Sequence, residues 1–415
     1  MPNLECYNPR PMNAEQGVRF AAVFIVVSLF IGYALVDFPA NQEDTSRLLD
    51  YSEFYAAGQI VRHGMGSRLY DLGVQADFQL RVAPVHAFYL RPPFEALLFV
   101  PFASLGYPSS YSAWIIFSLG LLAVACRLIE THTNVLDALT QYARGVRIDF
   151  GLLLVIFLTF APTMDCFLIG QDSVLMLMVY TLVFVALKQN REFAAGCFLA
   201  CGLFKFHLVL PFAIIFLLRR RWSFLLGFAS VALVLGAISV LLCGPGVIAA
   251  YPGLFLNTKY RVLLGFQPEY AANIRGFIFL LTDGRFPIAA GTLTAAASGL
   301  LLWVAARNWD DKQLGFCFSA AVVGTLLTGY HLFVYDLILL LLPCAIVCGE
   351  LARRKSLLSD TPLTLLLIVF FVPTIHRELI LHHIYALMCL PLLFLFVNVM
   401  RKVEFQSPGL NQAAG

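Results

Sequence analysis

VRFAAVFIVVSLFIGYALVDF, residues 18–38, is an almost unbroken apolar stretch near the start of the chain. A membrane helix needs ~20 apolar residues to cross ~30 Å of hydrocarbon. No cleavage site follows this stretch, so it predicts a retained anchor rather than a removed signal. The whole chain is similar: 60% of its 415 residues are hydrophobic and 13% are charged, whereas soluble domains carry about a quarter charged residues. The sequence therefore predicts an all-α polytopic membrane protein with a single transmembrane domain, residues 1–415.

Further apolar stretches predict most of the remaining spans. They are Tyr107–Ile129, Ile148–Thr163, Val174–Leu187, Phe224–Leu242, Ile288–Arg307, Leu314–Tyr330, Leu332–Val347, Leu363–Thr374 and Ile384–Val399. With two irregular stretches, the length rule gives roughly ten to twelve crossings. One irregular stretch, Phe94–Leu105, is short and bounded by prolines. The other, Phe193–Leu218, is interrupted by Lys205 and His207.

The interruption at Lys205 has two interpretations. Both outer ends of 193–218 are basic and each half is too short to cross, which favours a V-shaped pair with Lys205 at its apex. Irregular backbone at that depth needs surrounding protein or a wet cavity. Alternatively, the stretch is an ordinary kinked helix whose lysine snorkels to the surface.

Basic residues in short loops predict the orientation, because such loops stay in the cytoplasm. The densest clusters are Arg219–Arg221, Arg353–Lys355 and Arg401–Lys402. The loops 39–92 and 245–285 then face outwards. The segment Arg127–Arg147 remains open: its charges favour the cytoplasm, but a crossing by Phe94–Leu105 would put it outside.

The first external loop contains LLDYSEFYAAGQIVRHGMGSRLYD, residues 48–71. Aromatic and small residues from Tyr51 to Val61 recur at helical spacing, which predicts a helix in the membrane interface. Glu53 and Arg62 are expected on its wet side. Asp50 stands where an N-cap belongs, and capping is its structural alternative to a chemical role. Asp71 is expected to be a cap after Tyr70.

Several classes of site are disfavoured by composition. The net charge of +3 is weak and its basic residues lie in short clusters, so nucleic acid is not an expected partner. The ten cysteines mostly fall inside apolar runs and are expected to be buried. No Asp-x-Asp pair occurs. A metal site at His376, His382 and His383 is conceivable, but interfacial solvation is favoured, and we expect neither metal nor cofactor.

Six short motifs follow one another between residues 50 and 343. They are Asp50-Tyr51-x-x-Phe54-Tyr55-x-Ala57-Gly58 with Leu69-Tyr70-Asp71; Arg91-Pro92-Pro93 before Leu97-Leu98-Phe99-x-Pro101; Gly170-Gln171-Asp172-Ser173; Ala195-Gly196 through Lys205; Asn273-x-Arg275-Gly276; and His331 through Tyr335-Asp336. In this order they resemble the bacterial glycosyltransferase family 87, which includes polyprenol-phosphate-mannose-dependent α-1,2-mannosyltransferases. Phe206 follows Lys205 where the family usually has proline.

The resemblance implies a GT-C fold, which uses a sugar on a polyprenyl phosphate at the outer membrane face and usually inverts the anomeric centre. An acidic residue of the first external loop then acts as base, which implies Asp50. Glycosyl transfer also needs cationic groups for the leaving phosphate, and the expected ones are Arg275, Lys205, His331 and Arg91. Expected substrate contacts are Tyr55, Gln171, Asn273 and Tyr335.

The implied partners are a polyprenyl-phosphate hexose donor, a lipid-linked or cell-envelope glycan acceptor, and the lipids of the inner (cytoplasmic) membrane. A lipid or sugar transporter or flippase would share the broken helices and the embedded lysine. It should also show internal repeats, and none is evident in the sequence.

Overall fold

The computed structural model describes residues 50–84, 87–142, 147–256, 268–353, 369, 379–380 and 382–404. Over these ranges the regular structure is helical. The α-helices are α1 Asp50–Arg62, α2 Leu72–Gln79, α3 Pro93–Phe99, α4 Tyr107–His132, α5 Val135–Tyr142, α6 Phe150–Thr159, α7 Ala161–Ile169, α8 Ser173–Lys188, α9 Glu192–Cys201, α10 Phe206–Leu218, α11 Trp222–Cys243, α12 Val247–Leu256, α13 Ile274–Thr282, α14 Pro287–Arg307, α15 Leu314–Thr328, α16 Leu341–Arg353 and α17 Cys389–Glu404. The 3₁₀ segments are Gly66–Arg68, Phe102–Ser104, Leu203–Lys205, Pro268–Tyr270, Asp311–Gln313, Val334–Leu340 and Tyr385–Met388.

Five described helical segments are long and apolar enough to cross a membrane, or seven if each of two bent pairs is one span. The five are Tyr107–His132, Trp222–Cys243, Pro287–Arg307, Val334–Arg353 and Tyr385–Val403. The chain is thus an all-α, multi-pass membrane protein, as predicted. The expected span Val18–Phe38 lies outside the described residues, as does Leu363–Thr374 apart from residue 369, and half of His376–His383.

The interrupted stretch around Lys205 is a V whose two ends lie together. Helices α9 and α10 are inclined by 63° and are joined by the 3₁₀ turn that contains the lysine. Glu192, at the start of α9, is 2.8 Å from Arg221, which follows α10. At ~1.5 Å per residue neither helix reaches across ~30 Å. The stretch therefore returns to the face it started from.

Two glycines fix this arrangement by close packing. A Cβ on Gly196 of α9 would overlap the Phe224 carbonyl oxygen, and one on Gly227 of α11 would overlap that of Phe193. Helices α9 and α11 therefore pack closely side by side, and the Glu192–Arg221 pair puts their starts at the same end.

The predicted span Ile148–Thr163 is longer than expected and bent. Helices α6 and α7 cover Phe150–Ile169 with a 72° bend. Phe160 is extended at the break, and Pro162 follows it in the first turn of α7. Proline lacks the N–H that would continue the ladder and is tolerated at a helix start. Pro162 is the sequence signal for this break.

Phe94–Leu105 does not cross the membrane. Its helical part is α3, seven residues long, and a separate 3₁₀ turn follows. Lys188, at the end of α8, donates from its ammonium group to the carbonyl oxygen of His132 at the end of α4, at 2.6 Å. Because His132 also lines one cavity with Arg221 and Arg353, the end of α4 lies on the same face as the basic clusters. The start of Arg127–Arg147 therefore lies beside the basic clusters, as its charges favoured.

The predicted helix of the first external loop is α1, and protein covers it on nearly all sides. Tyr51 lies against Phe99 and Trp114, with ring centroids 6.3 and 6.2 Å away. Glu53 is 7% exposed, so its prediction on the wet side is wrong: that side of α1 faces a polar interior. Asp71 caps α2 by accepting from Gly73 N and Val74 N, which confirms the cap prediction.

Candidate active site

Three predicted site residues form one hydrogen-bonded chain at the start of α1. Gln171 Nε2 donates to Asp50 Oδ2 at 2.7 Å. Arg91 in turn donates to Gln171 Oε1 at 3.2 Å. Gln171 lies just after α7, where Gly170 adopts a left-handed conformation with φ 72°. The fold thus brings together segments 121 positions apart in the chain and fixes the Asp50 carboxylate in one orientation.

Beneath this chain lies a buried ionic cluster around Lys205, which has no exposed side-chain surface. Its Nζ is 2.8 Å from Asp172 Oδ1 and 2.6 Å from Asp336 Oδ1. It also donates to the Ser173 hydroxyl, which donates to Asp336 at 2.9 Å. The lysine does not snorkel. Two carboxylates balance its charge at the apex of the V.

Arg91 links the two assemblies. One guanidinium nitrogen lies 3.6 Å from Asp172 Oδ1, and 16% of the side chain is exposed. The guanidinium also lies 5.8 Å from the Phe54 ring centroid. Arg91 therefore keeps an accessible side, whereas Lys205 does not.

Glu95 is part of the site, although sequence reasoning did not identify it. It is 3% exposed, and Tyr89 donates to its Oε2 at 3.3 Å. Burial raises the pKa of its carboxyl well above the ordinary range, and the neighbouring Asp172 carboxylate adds to the shift. In its protonated form Glu95 can donate a hydrogen bond to the neighbouring Asp172 carboxylate. A single glutamate in an apolar stretch has no spacing pattern that could have pointed to this partner.

Glu53 is the carboxyl closest in sequence to Asp50, one helical turn away. Burial raises its pKa well above the ordinary range, and the Asp50 carboxylate is the next cause. Both causes favour the protonated form of Glu53 over its carboxylate. Of the two carboxyl groups of α1, Asp50 is therefore the better candidate to accept a proton.

Asn273 and Arg275 join the start of α13 to the end of α15. Asn273 accepts from Gly276 N at 2.9 Å and donates to Gly329 O at 2.6 Å. Arg275 donates to Tyr330 O at 3.0 Å, and its guanidinium is 4.1 Å from the Tyr330 ring centroid. Asn273 is fully buried and acts as a helix cap. Arg275 remains partly exposed.

His331 lies between these loops and the ionic cluster. Its ring is 5.9 Å from the His207 ring and 3.9 Å from the Phe333 ring. Burial lowers the pKa of His331 well below its ordinary range, and His207 contributes next. His331 is therefore a neutral imidazole that can donate one hydrogen bond.

The last two predicted residues have different surroundings. The Tyr335 ring centroid lies 4.9 Å from Lys205 Nζ, and the residue is within electrostatic reach of Asp50. The Tyr55 hydroxyl donates to Leu105 O at 3.0 Å and accepts from Gln59 at 2.9 Å. Tyr335 thus belongs to the site, whereas the hydroxyl of Tyr55 ties α1 to the start of α4.

The described part of the chain contains no group of three His, Cys, Asp or Glu side chains placed to hold a metal ion. Its site offers an oriented carboxylate, the partly exposed guanidinium of Arg91 linked to it through Gln171, and the neutral imidazole of His331 with Arg275 in electrostatic reach. Such a set can take a proton from a hydroxyl and stabilise an anion.

Comparison with known proteins gave one match. The family model for glycosyltransferase family 87 matches residues 89–333, more than half of the chain, and this range contains Arg91, Gln171, Lys205, Arg275 and His331. Asp50 precedes it. No curated protein and no solved structure matches the chain. The match agrees with the order of the motifs, and the chain belongs to glycosyltransferase family 87.

Proposed function

We propose that this glycosyltransferase moves a hexose, mannose, from a polyprenyl-phosphate donor to a hydroxyl of a lipid-linked or cell-envelope glycan. The reaction takes place at the outer face of the cytoplasmic membrane and inverts the anomeric centre. The observation that carries the proposal is the Gln171–Asp50 hydrogen bond, which holds one ionisable carboxylate beside partly exposed cations.

Asp50 is the base. The acceptor hydroxyl loses its proton to the Asp50 carboxylate as its oxygen attacks the anomeric carbon. The bond from that carbon to the phosphate oxygen breaks, and its electron pair leaves with the phosphate. Gln171 supports this role because its amide N–H stabilises and orients the carboxylate. Burial shifts Glu53 toward its protonated form, which makes it a poorer candidate for the base.

The leaving phosphate gains negative charge, and we assign its stabilisation to Arg275 and Arg91 with His331 as a neutral donor. Arginine suits phosphate because its planar fork donates two parallel hydrogen bonds. Both arginines are partly exposed. Tyr335 and Asn273 are assigned to the walls of the same substrate site.

We assign Lys205 an indirect role in phosphate binding, through the segments that it holds in place. Its ammonium group is shared by Asp172 and Asp336, so a phosphate would have to displace a carboxylate to reach it. We assign Lys205 to holding the V against the Gln171–Asp172–Ser173 turn, which carries the partner of Asp50.

The orientation rests on the basic loops. Arg219–Arg221 and Arg353 lie at the face opposite to Asp50, and cytoplasmic loops are enriched in such residues. This puts Asp50 at the outer face, where a polyprenyl-phosphate sugar is presented.

The test is incubation of the purified protein with a polyprenyl-phosphate mannose and a glycolipid acceptor. The proposal expects release of polyprenyl phosphate together with a mannosylated acceptor. In proteoliposomes, a transporter or flippase would instead move the donor across the bilayer without cleaving it. Movement without cleavage would overturn the proposal.

A further inference from the structure

A second cavity lies at the other end of the helices, away from Asp50. It has a volume of about 470 Å³, within the ~300–1,000 Å³ range of small-molecule sites. Its walls come from the ends of α4, α8 and α16 and from the starts of α9 and α15. None of the residues assigned to glycosyl transfer lines it.

The carboxylates of this cavity are already neutralised. Arg221 pairs with Glu192 at 2.8 Å and also with Asp311. Arg353 pairs with Glu350. These pairs hold the ends of several helices together and leave their arginines no free charge for a ligand.

Two lysines in the lining are different. Lys188 donates to a backbone carbonyl, that of His132, and its side chain is exposed. Lys312 is exposed as well. Within the described ranges, neither ammonium group has a carboxylate at ion-pair distance. The rim of the cavity therefore offers two cationic groups to an incoming anion.

Gln313 supplies an independent sign of a ligand. It is 9% exposed and lines the cavity. Its Nε2 donates to the Val403 carbonyl at 3.2 Å, but its buried Oε1 has no hydrogen-bond partner in the described structure. A buried acceptor without a donor is costly, and a ligand hydroxyl would satisfy it.

We propose that this cavity binds a phosphate ester that carries hydroxyl groups, with the phosphate between Lys188 and Lys312 and a hydroxyl donating to Gln313 Oε1. Two sources share this chemistry: the headgroup of an anionic phospholipid, such as phosphatidylglycerol, and a soluble polyol phosphate. The basic residues put the cavity at the cytoplasmic leaflet, where anionic lipids attract juxtamembrane lysines. The site is separate from the transferase site and does not depend on the proposed donor.

The test is native mass spectrometry of the full-length protein with phosphatidylglycerol or phosphatidylcholine, and calorimetry with glycerol 3-phosphate. Phosphatidylglycerol binding well above that of phosphatidylcholine identifies the lipid source. Comparable affinity for glycerol 3-phosphate identifies the soluble one. Absence of binding in both arms overturns the proposal.

Variants locate the site. Lys188→Gln/Lys312→Gln should weaken binding about thirtyfold, at roughly fivefold for each lysine, and Gln313→Met should weaken it about fivefold. Lys402→Gln is the matched control, because Lys402 lies in α17, outside the lining. Thermal unfolding checks that each variant is folded. Equal losses in the double variant and in the control would place the ligand elsewhere and overturn the proposal.

Discussion

Lys205 Nζ lies 2.6 Å from Asp336 Oδ1, which ties the apex of the α9–α10 V to the start of the Val334–Arg353 span. Asp172 lies on the other side of the same ammonium group, at 2.8 Å. One lysine therefore joins three separate parts of the chain at membrane depth.

Lys205→Met should destabilise the protein strongly, because it leaves buried Asp336 without its counter-ion and leaves Asp172 only Arg91, at 3.6 Å. Breaking a buried pair in this way typically costs about 3–5 kcal/mol. Thermal unfolding of the purified variant measures the loss. Lys205→Met/Asp336→Asn should recover much of it, since one of the carboxylates is then neutral. Wild-type stability in the single variant would show that the ion pairs contribute little.

Arg275→Ala should fold normally and lose ~10²–10³ in turnover, because a positioned charge beside a developing anion is worth that much. Arg275→Lys should lie in between, since lysine keeps the charge and loses the fork. Release of polyprenyl phosphate measures the rate. Arg285→Ala, an exposed arginine paired with Asp283, is the control. Equal rates in Arg275→Ala and the control would remove Arg275 from the phosphate site.

Glu95→Gln should make stability less dependent on pH. In the folded protein burial raises the pKa of Glu95 well above the ordinary value of 4.5, at which the unfolded chain loses the proton. Stability should therefore fall as pH rises above that value, by up to about 1.4 kcal/mol per pH unit. Glutamine keeps an N–H donor toward Asp172 and removes this loss.

Melting temperatures of both proteins between about pH 5 and pH 8 measure the effect. The difference between Glu95→Gln and wild type should grow in favour of the variant as pH rises. Glu130→Gln, which removes a carboxylate paired with Arg127, is the control for the substitution itself. Parallel pH profiles for Glu95→Gln and wild type would contradict a protonated Glu95.

Orientation can be tested with single cysteines in a cysteine-free background. Ser67 and Thr131 are both exposed and lie at opposite faces. An impermeant thiol reagent should label Ser67→Cys and spare Thr131→Cys in intact cells, since α3 does not cross. Permeabilised cells should show labelling of both. The reverse pattern in intact cells would show that the membrane orientation is inverted and that Asp50 faces the cytoplasm.

Much of the architecture follows from the sequence because length and hydropathy decide which segments can cross a bilayer. The V at Lys205 was one of two open interpretations. Its shape depends on Glu192 meeting Arg221, a contact that apolar spacing does not encode. Pro162 was visible as a signal for the α6–α7 bend, but the apolar run around it favoured a continuous helix.

The site was predictable where it lay in motifs. Asp50, Gln171 and Arg91 were all named, and the structure joins them in one chain. Whether the Lys205 ammonium group is free to contact the phosphate could not be predicted from the motifs. It depends on Asp172 and Asp336, which are far away in the chain and neutralise the charge of Lys205. The burial of Glu53 and Glu95 was not predictable either. In its sequence, a helix whose polar side faces a polar protein interior looks the same as a helix whose polar side faces water.

The most direct test of the account is the transfer rate of Asp50→Asn with polyprenyl-phosphate mannose and acceptor, compared with Glu53→Gln. Asparagine caps a helix about as well as aspartate and can still hydrogen-bond to Gln171, so folding should stay near normal. Asp50→Asn should abolish transfer, and Glu53→Gln should have a much milder effect. Transfer by Asp50→Asn at the wild-type rate would contradict it and place the base elsewhere.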